Sequence, residues 1–216
     1  LYARLPYDPT TLMLVGVVLR GSSFVFRTYD EQESRVQRRW GRLFAVSSLA
    51  TPVLLGIVIG AITTPALATP LENGFLDVFV RSWLRPFPIA VGLFALAQFA
   101  FLAAVYLTVD AEDPAVQEDF RRRALLSAVA VGALAFTVLA LSGTVASHVA
   151  RGLLGRPWSW PLQIATGAFA LAAIALLWTR RYVLARICAA AQVSLIVLGW
   201  GLAMDPYLVA GTITIR

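Results

Sequence analysis

Six long runs of apolar residues dominate this chain and limit what it can fold into. A membrane-spanning helix needs about 20 mostly apolar residues, with a range of about 17–25. Inside lipid every backbone N–H and C=O must find a partner within the segment, so open-ended spans are helices. The sequence therefore predicts an all-α, polytopic transmembrane helical bundle that forms a single integral-membrane domain over residues 1–216. The six predicted spanning helices are about 9–27, 43–63, 86–108, 124–147, 161–179 and 182–204.

Composition excludes most other classes of protein. The chain is 59% hydrophobic and 14% charged, whereas soluble domains are about 45–50% apolar and about 25% charged. A water-soluble enzyme and a nucleic-acid module are therefore excluded, although the net charge of +6 would otherwise suit DNA. One Cys excludes a disulfide scaffold. The start of the chain shows no signal peptide, and we expect it to be a piece of a longer protein.

Aromatic and arginine residues predict the depth and direction of the spans. All Trp and Tyr residues fall near predicted span ends, where amphipathic rings prefer the headgroup layer. The basic residues are all Arg, and eleven of the 18 lie on one side of the predicted bundle. Short loops rich in Arg face the cytoplasm. We therefore expect the Arg-rich loops 27–42, 109–123 and 180–186 to be cytoplasmic.

Arg20 stands out as a charge well inside a predicted span. It follows an apolar run and lies seven residues before Arg27, about 10 Å along a helix. A charge at that depth is costly unless it is paired or hydrated, or its side chain reaches the interface. Two interpretations stay open: an Arg that extends to the headgroups, or a buried pair. The six predicted spans contain no carboxylate, so the partner in a pair would come from a missing helix or another subunit.

Small and amide side chains indicate how the helices pack. Gly56 and Gly60 give span two a face on which another helix can approach closely. Three glutamines lie within or near the ends of spans, and they either hydrogen-bond across helices or line a hydrated path; they are Gln98, Gln163 and Gln192.

The chain contains very few residues that could serve as axial ligands of a haem. The chain has one His, His148, and two Met, Met13 and Met204, all near the predicted outer ends of spans. Haem takes axial His or Met ligands, so a single haem near that surface is one hypothesis. The other is a His that is hydrogen-bonded at the interface.

The boundary segments, read in order, resemble subunit II of the cytochrome bd quinol oxidases. Residues Leu19–Arg27 resemble the family's LRG-x-x-F-E-F-R stretch. Arg85-Pro86-Phe87 followed by Gly92-Leu93 is similar to its PF-x-x-x-x-GL start. Gly199–Ala203 with Pro206–Leu208 resembles its GWGLA-x-x-PYL segment. The resemblance implies a central piece of that subunit, in which 1–63 is part of a first helix bundle and 86–204 is a second four-helix bundle.

The chain departs from the resemblance at Val25, where the family usually has an acid. A proton-handling or charge-pairing role for that acid is therefore not carried over. The residues expected to support the structure are Arg20 and Arg27 for charge pairing, Gly56 and Gly60 for packing, and Trp200, Pro206 and Tyr207 at the outer boundary. We expect no catalytic, cofactor-binding or metal-binding residue.

The leading hypothesis is a haem-free supporting subunit of a bd-type quinol:oxygen oxidoreductase in the bacterial plasma membrane. The resemblance implies that haem b and haem d lie in a partner, subunit I, which oxidises quinol and reduces dioxygen. We also expect the chain to contact membrane lipid and to bind no nucleic acid. The alternative is a secondary transporter or exporter of a small solute, which would have discontinuous helices and polar groups near the midplane. A third reading is a haem-binding membrane anchor that uses His148.

Overall fold

The computed structural model describes residues 7–29, 35–64, 83–205, 207–209 and 213–214. These residues form helices and one short antiparallel hairpin, in which β1 (Tyr207–Val209) pairs with β2 (Ile213–Thr214). The predicted all-α bundle is confirmed. The helices are α1 (Tyr7–Tyr29), α2 (Arg35–Thr63), α3 (Pro86–Asp110), α4 (Pro114–Val145), α5 (Ser147–Gly155), α6 (Ser159–Trp178) and α7 (Tyr182–Met204).

Each of the six predicted spans falls on a helix. Five described segments are long and apolar enough to cross a membrane, and they lie on α2, α3, α4, α6 and α7. The apolar stretch of α1, Thr10–Val25, is shorter. Arg20 lies within that stretch.

Helix boundaries differ from the prediction where charged residues continue a helix beyond the lipid. The predicted connection 109–123 is mostly helical, because α4 begins at Pro114. Asp113 caps it, with its carboxylate accepting a hydrogen bond from the Ala115 N–H at 2.8 Å. At 32 residues, α4 is about 48 Å long, whereas the hydrocarbon core is about 30 Å thick. Its charged first turns therefore project from the membrane-spanning part, which begins near Ala124.

Two other connections are also partly helical. Helix α2 begins at Arg35, within the predicted connection 27–42. The predicted connection 148–160 contains most of α5, which is separated from the end of α4 at Val145 by Ala146 alone. Apolar run length alone does not detect such segments, because their helical residues are outside the apolar runs.

Helices α1, α2 and α3 pack side by side in chain order, and α3 also belongs to a ring of four helices. Helix α1 packs on α2 and α2 on α3, while α3, α4, α6 and α7 contact one another around a common centre. Buried side chains at one end of the ring form the Leu177 cluster, which includes Phe101, Val105, Ala185 and Ala189. Those at the opposite end form the Met204 cluster, which includes Phe87, Ala146, Val149 and Ala203.

The turn between α6 and α7 is unusually tight. The N–H of Arg180 donates to the Leu177 carbonyl and that of Arg181 donates to the Leu176 carbonyl at 2.8 Å, as in a Schellman motif. Arg180 has a positive φ of 59° at the position where Gly is usual. This geometry aims the Arg180 side chain at α4, where its Nη2 lies 3.5 Å from the Glu118 carboxylate.

Glu118 is the centre of an ion-pair network at this end of the bundle. Arg121 donates to both of its carboxylate oxygens, from Nε at 2.9 Å and from Nη2 at 2.6 Å. Arg122 donates at 3.4 Å. Hydrogen bonding from Arg121, together with the positive charges of Arg121 and Arg180, lowers the pKa of Glu118 from 4.5 to about 2. The network therefore ties α4 to the α6–α7 turn with a carboxylate that stays ionised in moderate acid.

Helix α7 has a second attachment to α3 at the same end. The Arg186 guanidinium lies over the Tyr106 ring, 4.1 Å from its centroid, and its Nη1 is 3.8 Å from the Asp110 carboxylate. A guanidinium on a ring face contributes about 0.5–1 kcal/mol at exposed sites. These contacts fix α3 and α7 as antiparallel neighbours.

We expect Glu118→Gln to reduce the acid sensitivity of the fold. Because the folded-state pKa lies below the ordinary value, the stabilisation by Glu118 is fully present above about pH 4.5 and is lost as the pH falls toward 2. The thermal midpoint of the wild type, measured between pH 6 and pH 3, should fall more than that of the variant. Asp119→Asn is the matched control, because its pair with Arg123 is exposed on both sides and contributes little. Equal acid sensitivity in wild type and Glu118→Gln would contradict the role of this network.

Candidate functional site

The structure brings together some of the predicted residues and separates others. Gly56 and Gly60 on α2 and Trp200 on α7 lie at one junction with α3. Arg20 lies apart on α1. Three further predictions have side chains or positions outside the described residues: Arg27 and Tyr207, whose backbones are in α1 and β1, and Pro206.

Glycines on both helices allow α2 and α3 to approach very closely. A methyl group at Gly56 would lie 2.6 Å from the Val91 carbonyl oxygen and 2.7 Å from the Gly92 Cα. The relation is reciprocal, because a methyl group at Gly92 would lie 2.7 Å from the carbonyl oxygen of Val53. Gly60 makes a similar approach to Pro88, at 2.7 Å from its Cα. Backbone therefore packs against backbone along this interface, as in small-xxx-small contacts in lipid.

Trp200 connects α7 to the end of α2 beside this glycine interface. Its Nε1–H donates to the Thr63 hydroxyl at 3.1 Å, and that hydroxyl donates in turn to the Ile59 carbonyl at 2.6 Å. Thr63 is buried, and the Trp200 ring packs against the Met204 cluster. The indole N–H and the buried Thr63 hydroxyl are both satisfied, which avoids the cost of an unpaired polar group.

Arg20 lies on an exposed flank of α1. Its guanidinium is 5.9 Å from the centroid of the Phe44 ring on α2, within the range of a cation–π contact. Phe44 also lies near Phe24, with 6.5 Å between ring centroids. The contact ties α1 to α2, and the exposure of Arg20 means that further neighbours of this charge would come from outside the described residues.

The residues considered for haem lie on separate helices. His148 is on α5 and Met204 is at the end of α7, within the Met204 cluster, while Met13 is on α1. Burial, and then the positive charge of Arg151, lower the pKa of His148. Within the part of the chain that the structure describes, no three His, Cys, Asp or Glu side chains come together as a metal-binding group.

Comparison with known proteins identifies the family. Residues 4–216 match the family described as cytochrome bd terminal oxidase subunit II. The chain belongs to this family. The resemblance drawn from the boundary motifs is thereby confirmed.

A solved structure supports the fold of this bd oxidase subunit II chain. The structure of the bd oxidase from Geobacillus thermodenitrificans includes a chain that is 21% identical, with a TM-score of 0.71. The match covers 100% of the present chain and 64% of that chain, so the present chain spans less than two thirds of its length. Comparison with curated proteins gives no match.

Sequence reasoning missed the partners at the α2–α3–α7 junction of this subunit II chain. The pattern on α2 indicated a close helix contact but not the helix that makes it. Gly92, whose backbone fills the space left by Gly56, entered only as part of a boundary motif. Thr63 gave no signal, because a hydroxyl at a helix end is common. The signal that could have identified Gly92 is a second small residue on the next predicted span, since a close helix contact needs small residues on both helices.

We expect Gly56→Ala to weaken the α2–α3 interface. The added methyl group would meet two backbone atoms at 2.6–2.7 Å, and backbone cannot rotate away as a side chain can. Overpacking of this kind costs about 1–3 kcal/mol, which would appear as a lower thermal midpoint of the detergent-solubilised protein. Gly21→Ala is the control, since no heavy atom lies within 4 Å of its added methyl group. Equal midpoints for the two variants would show that the interface is looser than described.

A second experiment concerns the bond between Trp200 and Thr63. Trp200→Phe removes the indole donor and should reduce stability by about 0.5–1.5 kcal/mol beyond the loss of ring area. Thr63→Val removes the acceptor, and a double-mutant cycle isolates the pairwise contribution. Thr63→Ser retains the hydroxyl and should behave like wild type in the same cycle. Strictly additive losses from Trp200→Phe and Thr63→Val would mean that the bond contributes nothing.

Proposed function

We propose that this chain is a haem-free supporting subunit of a membrane-bound quinol oxidase. The complex transfers electrons from quinol to dioxygen and contributes to the proton-motive force through its partner subunit, which carries haem b and haem d. The observation that supports this most directly is the family match over residues 4–216. In this proposal the chain itself binds no haem, and it takes part in catalysis only by holding the complex together.

The distribution of chemistry within the described residues supports a structural role. The described acidic side chains lie at helix ends and turns, and their ion pairs join α4 to the α6–α7 turn and α3 to α7. The buried interior is rich in Ala and Gly, which serve packing. Helices α3, α4, α6 and α7 are continuous over the membrane-spanning range, whereas a transporter site is typically built from broken helices.

The exposed apolar faces indicate where lipid and a partner subunit would lie. Helix α1 exposes Val18 at 65%, α4 exposes Phe136 at 75% and α6 exposes Leu171 at 71%. In this proposal the oxidase partner covers part of these faces and lipid covers the rest. Arg20 and Arg27 are proposed to pair with charges outside the described residues, and Pro206 and Tyr207 to lie at the outer boundary with Trp200.

Co-purification with coloured partners tests the proposed function. The full-length form of this chain would be tagged and expressed with its chromosomal neighbours, and a reduced-minus-oxidised visible spectrum recorded. We expect haem b and haem d bands that disappear when the larger partner is omitted. A colourless preparation with every neighbour present would contradict an oxidase role, and haem bands from this chain alone would contradict a haem-free one.

Orientation is a separate part of the proposal. The Glu118 network and the α6–α7 turn are at one end of the bundle, and Arg156 is at the other. We propose that the first end faces the cytoplasm, in accordance with the positive-inside rule. In a Cys188→Ala background, Arg122→Cys should be protected from an impermeant thiol reagent in intact cells, and Arg156→Cys should react. The opposite labelling would reverse the orientation.

A further inference from the structure

Two glutamines are buried in the interior of the helix ring, far from either end. Gln98 lies on α3 with 6% of its surface exposed, and Gln192 lies on α7 with 5% exposed. Gln98 is twelve residues from each end of α3, which places it near the middle of the span. The third glutamine of the spans, Gln163, is different, because its amide donates to the Leu153 carbonyl of α5.

The register of α3 against α7 places the two glutamines at the same level. Phe87 of α3 and Ala203 of α7 both belong to the Met204 cluster. Gln98 lies eleven residues after Phe87, and Gln192 lies eleven residues before Ala203. Toward the other end of the ring, Val105 of α3 and Ala185 of α7 both belong to the Leu177 cluster. Val105 lies seven residues after Gln98, and Ala185 lies seven residues before Gln192. The two helices are antiparallel neighbours. Both amides therefore lie at the same level of the bundle, one turn along their helices from Phe101 and Ala189 of the Leu177 cluster.

The polar atoms of Gln98 are not satisfied by the protein. Neither its Oε1 nor its Nε2 has a hydrogen-bond partner among the described residues, and both atoms are shielded from the surface. A primary amide has two donors and two acceptor lone pairs. Burying such a group without partners costs free energy, and more so where the surroundings are apolar. A group of this kind in a native bundle calls for a ligand.

We propose that Gln98 and Gln192 hold a bound water between α3 and α7 at the middle of the membrane. A water molecule can donate to an amide oxygen and accept from an amide N–H at once, and ordered buried waters typically make about three hydrogen bonds. The two amides supply that number of partners from opposite sides of one helix contact. The bound water is a polar link in a contact that is otherwise apolar.

Direct observation of the water is the first test. The full-length protein, in the complex with which it purifies, would be imaged by electron cryomicroscopy at a resolution that shows ordered solvent. We expect a density peak within about 3.2 Å of amide atoms of both Gln98 and Gln192. The proposal is overturned if the two amides bond directly to each other, if a lipid or other organic group fills the space, or if no density is present.

Variants give a second, independent test. Gln98→Leu and Gln192→Leu should each lower the thermal midpoint, because each leaves the remaining amide and its water with fewer partners. The double variant removes the need for the water, so its loss should be smaller than the sum of the two single losses. Ser194→Ala, on the exposed flank of α7 at nearly the same depth, is the matched control and should leave the midpoint unchanged. Additive losses would overturn the shared water, whether or not haem co-purifies.

Discussion

Helices that are already in lipid gain little from hiding one apolar surface against another, because lipid tails are as apolar as leucine. The association of the helices must therefore depend on close approach and on a small number of polar bonds. In this chain close approach comes from residues that have almost no side chain. Gly56, Gly60 and Gly92 bring the backbones of α2 and α3 into contact, and completely buried alanines such as Ala173 and Ala189 form the interior of the ring. The polar bonds are placed at both ends of α7, at Arg186 and at Trp200.

Much of the fold could be predicted from run length, because the thickness of the bilayer sets the length of a spanning helix. Boundaries were harder to predict, since a helix does not end where its apolar residues end. Asp113 and Pro114 start α4 ten residues before its apolar part, and Arg35 starts α2 within a charged segment. Helix α5 was missed for the same reason. Neighbour relations could not be read from the sequence at all, because spacing along one helix does not identify the helix that it contacts.

The candidate site illustrates the same limit. Local motifs indicated Gly56, Gly60 and Trp200 individually, and the family resemblance rested on short segments near helix ends. Only the structure places these residues at one junction and supplies Thr63 and Gly92 as their partners. Arg20 remains ambiguous from the sequence because its expected counter-charge is not in the spans. In the structure it contacts Phe44, so an aromatic face contributes where an acid was expected.

The reciprocal glycine contact restricts how this region can change over evolution. In an ordinary core, a larger residue on one element can be compensated by a smaller one on its neighbour. Here Gly56 faces the backbone of Val91 and Gly92, and Gly92 faces the backbone of Val53, so the nearest obstacles are backbone atoms that no smaller side chain can remove. A mutation that enlarges either glycine has no compensating partner and can be corrected only by reversion or by separation of the two helices. The junction of α2 and α3 should therefore drift in sequence much more slowly than the lipid-facing surfaces on either side of it.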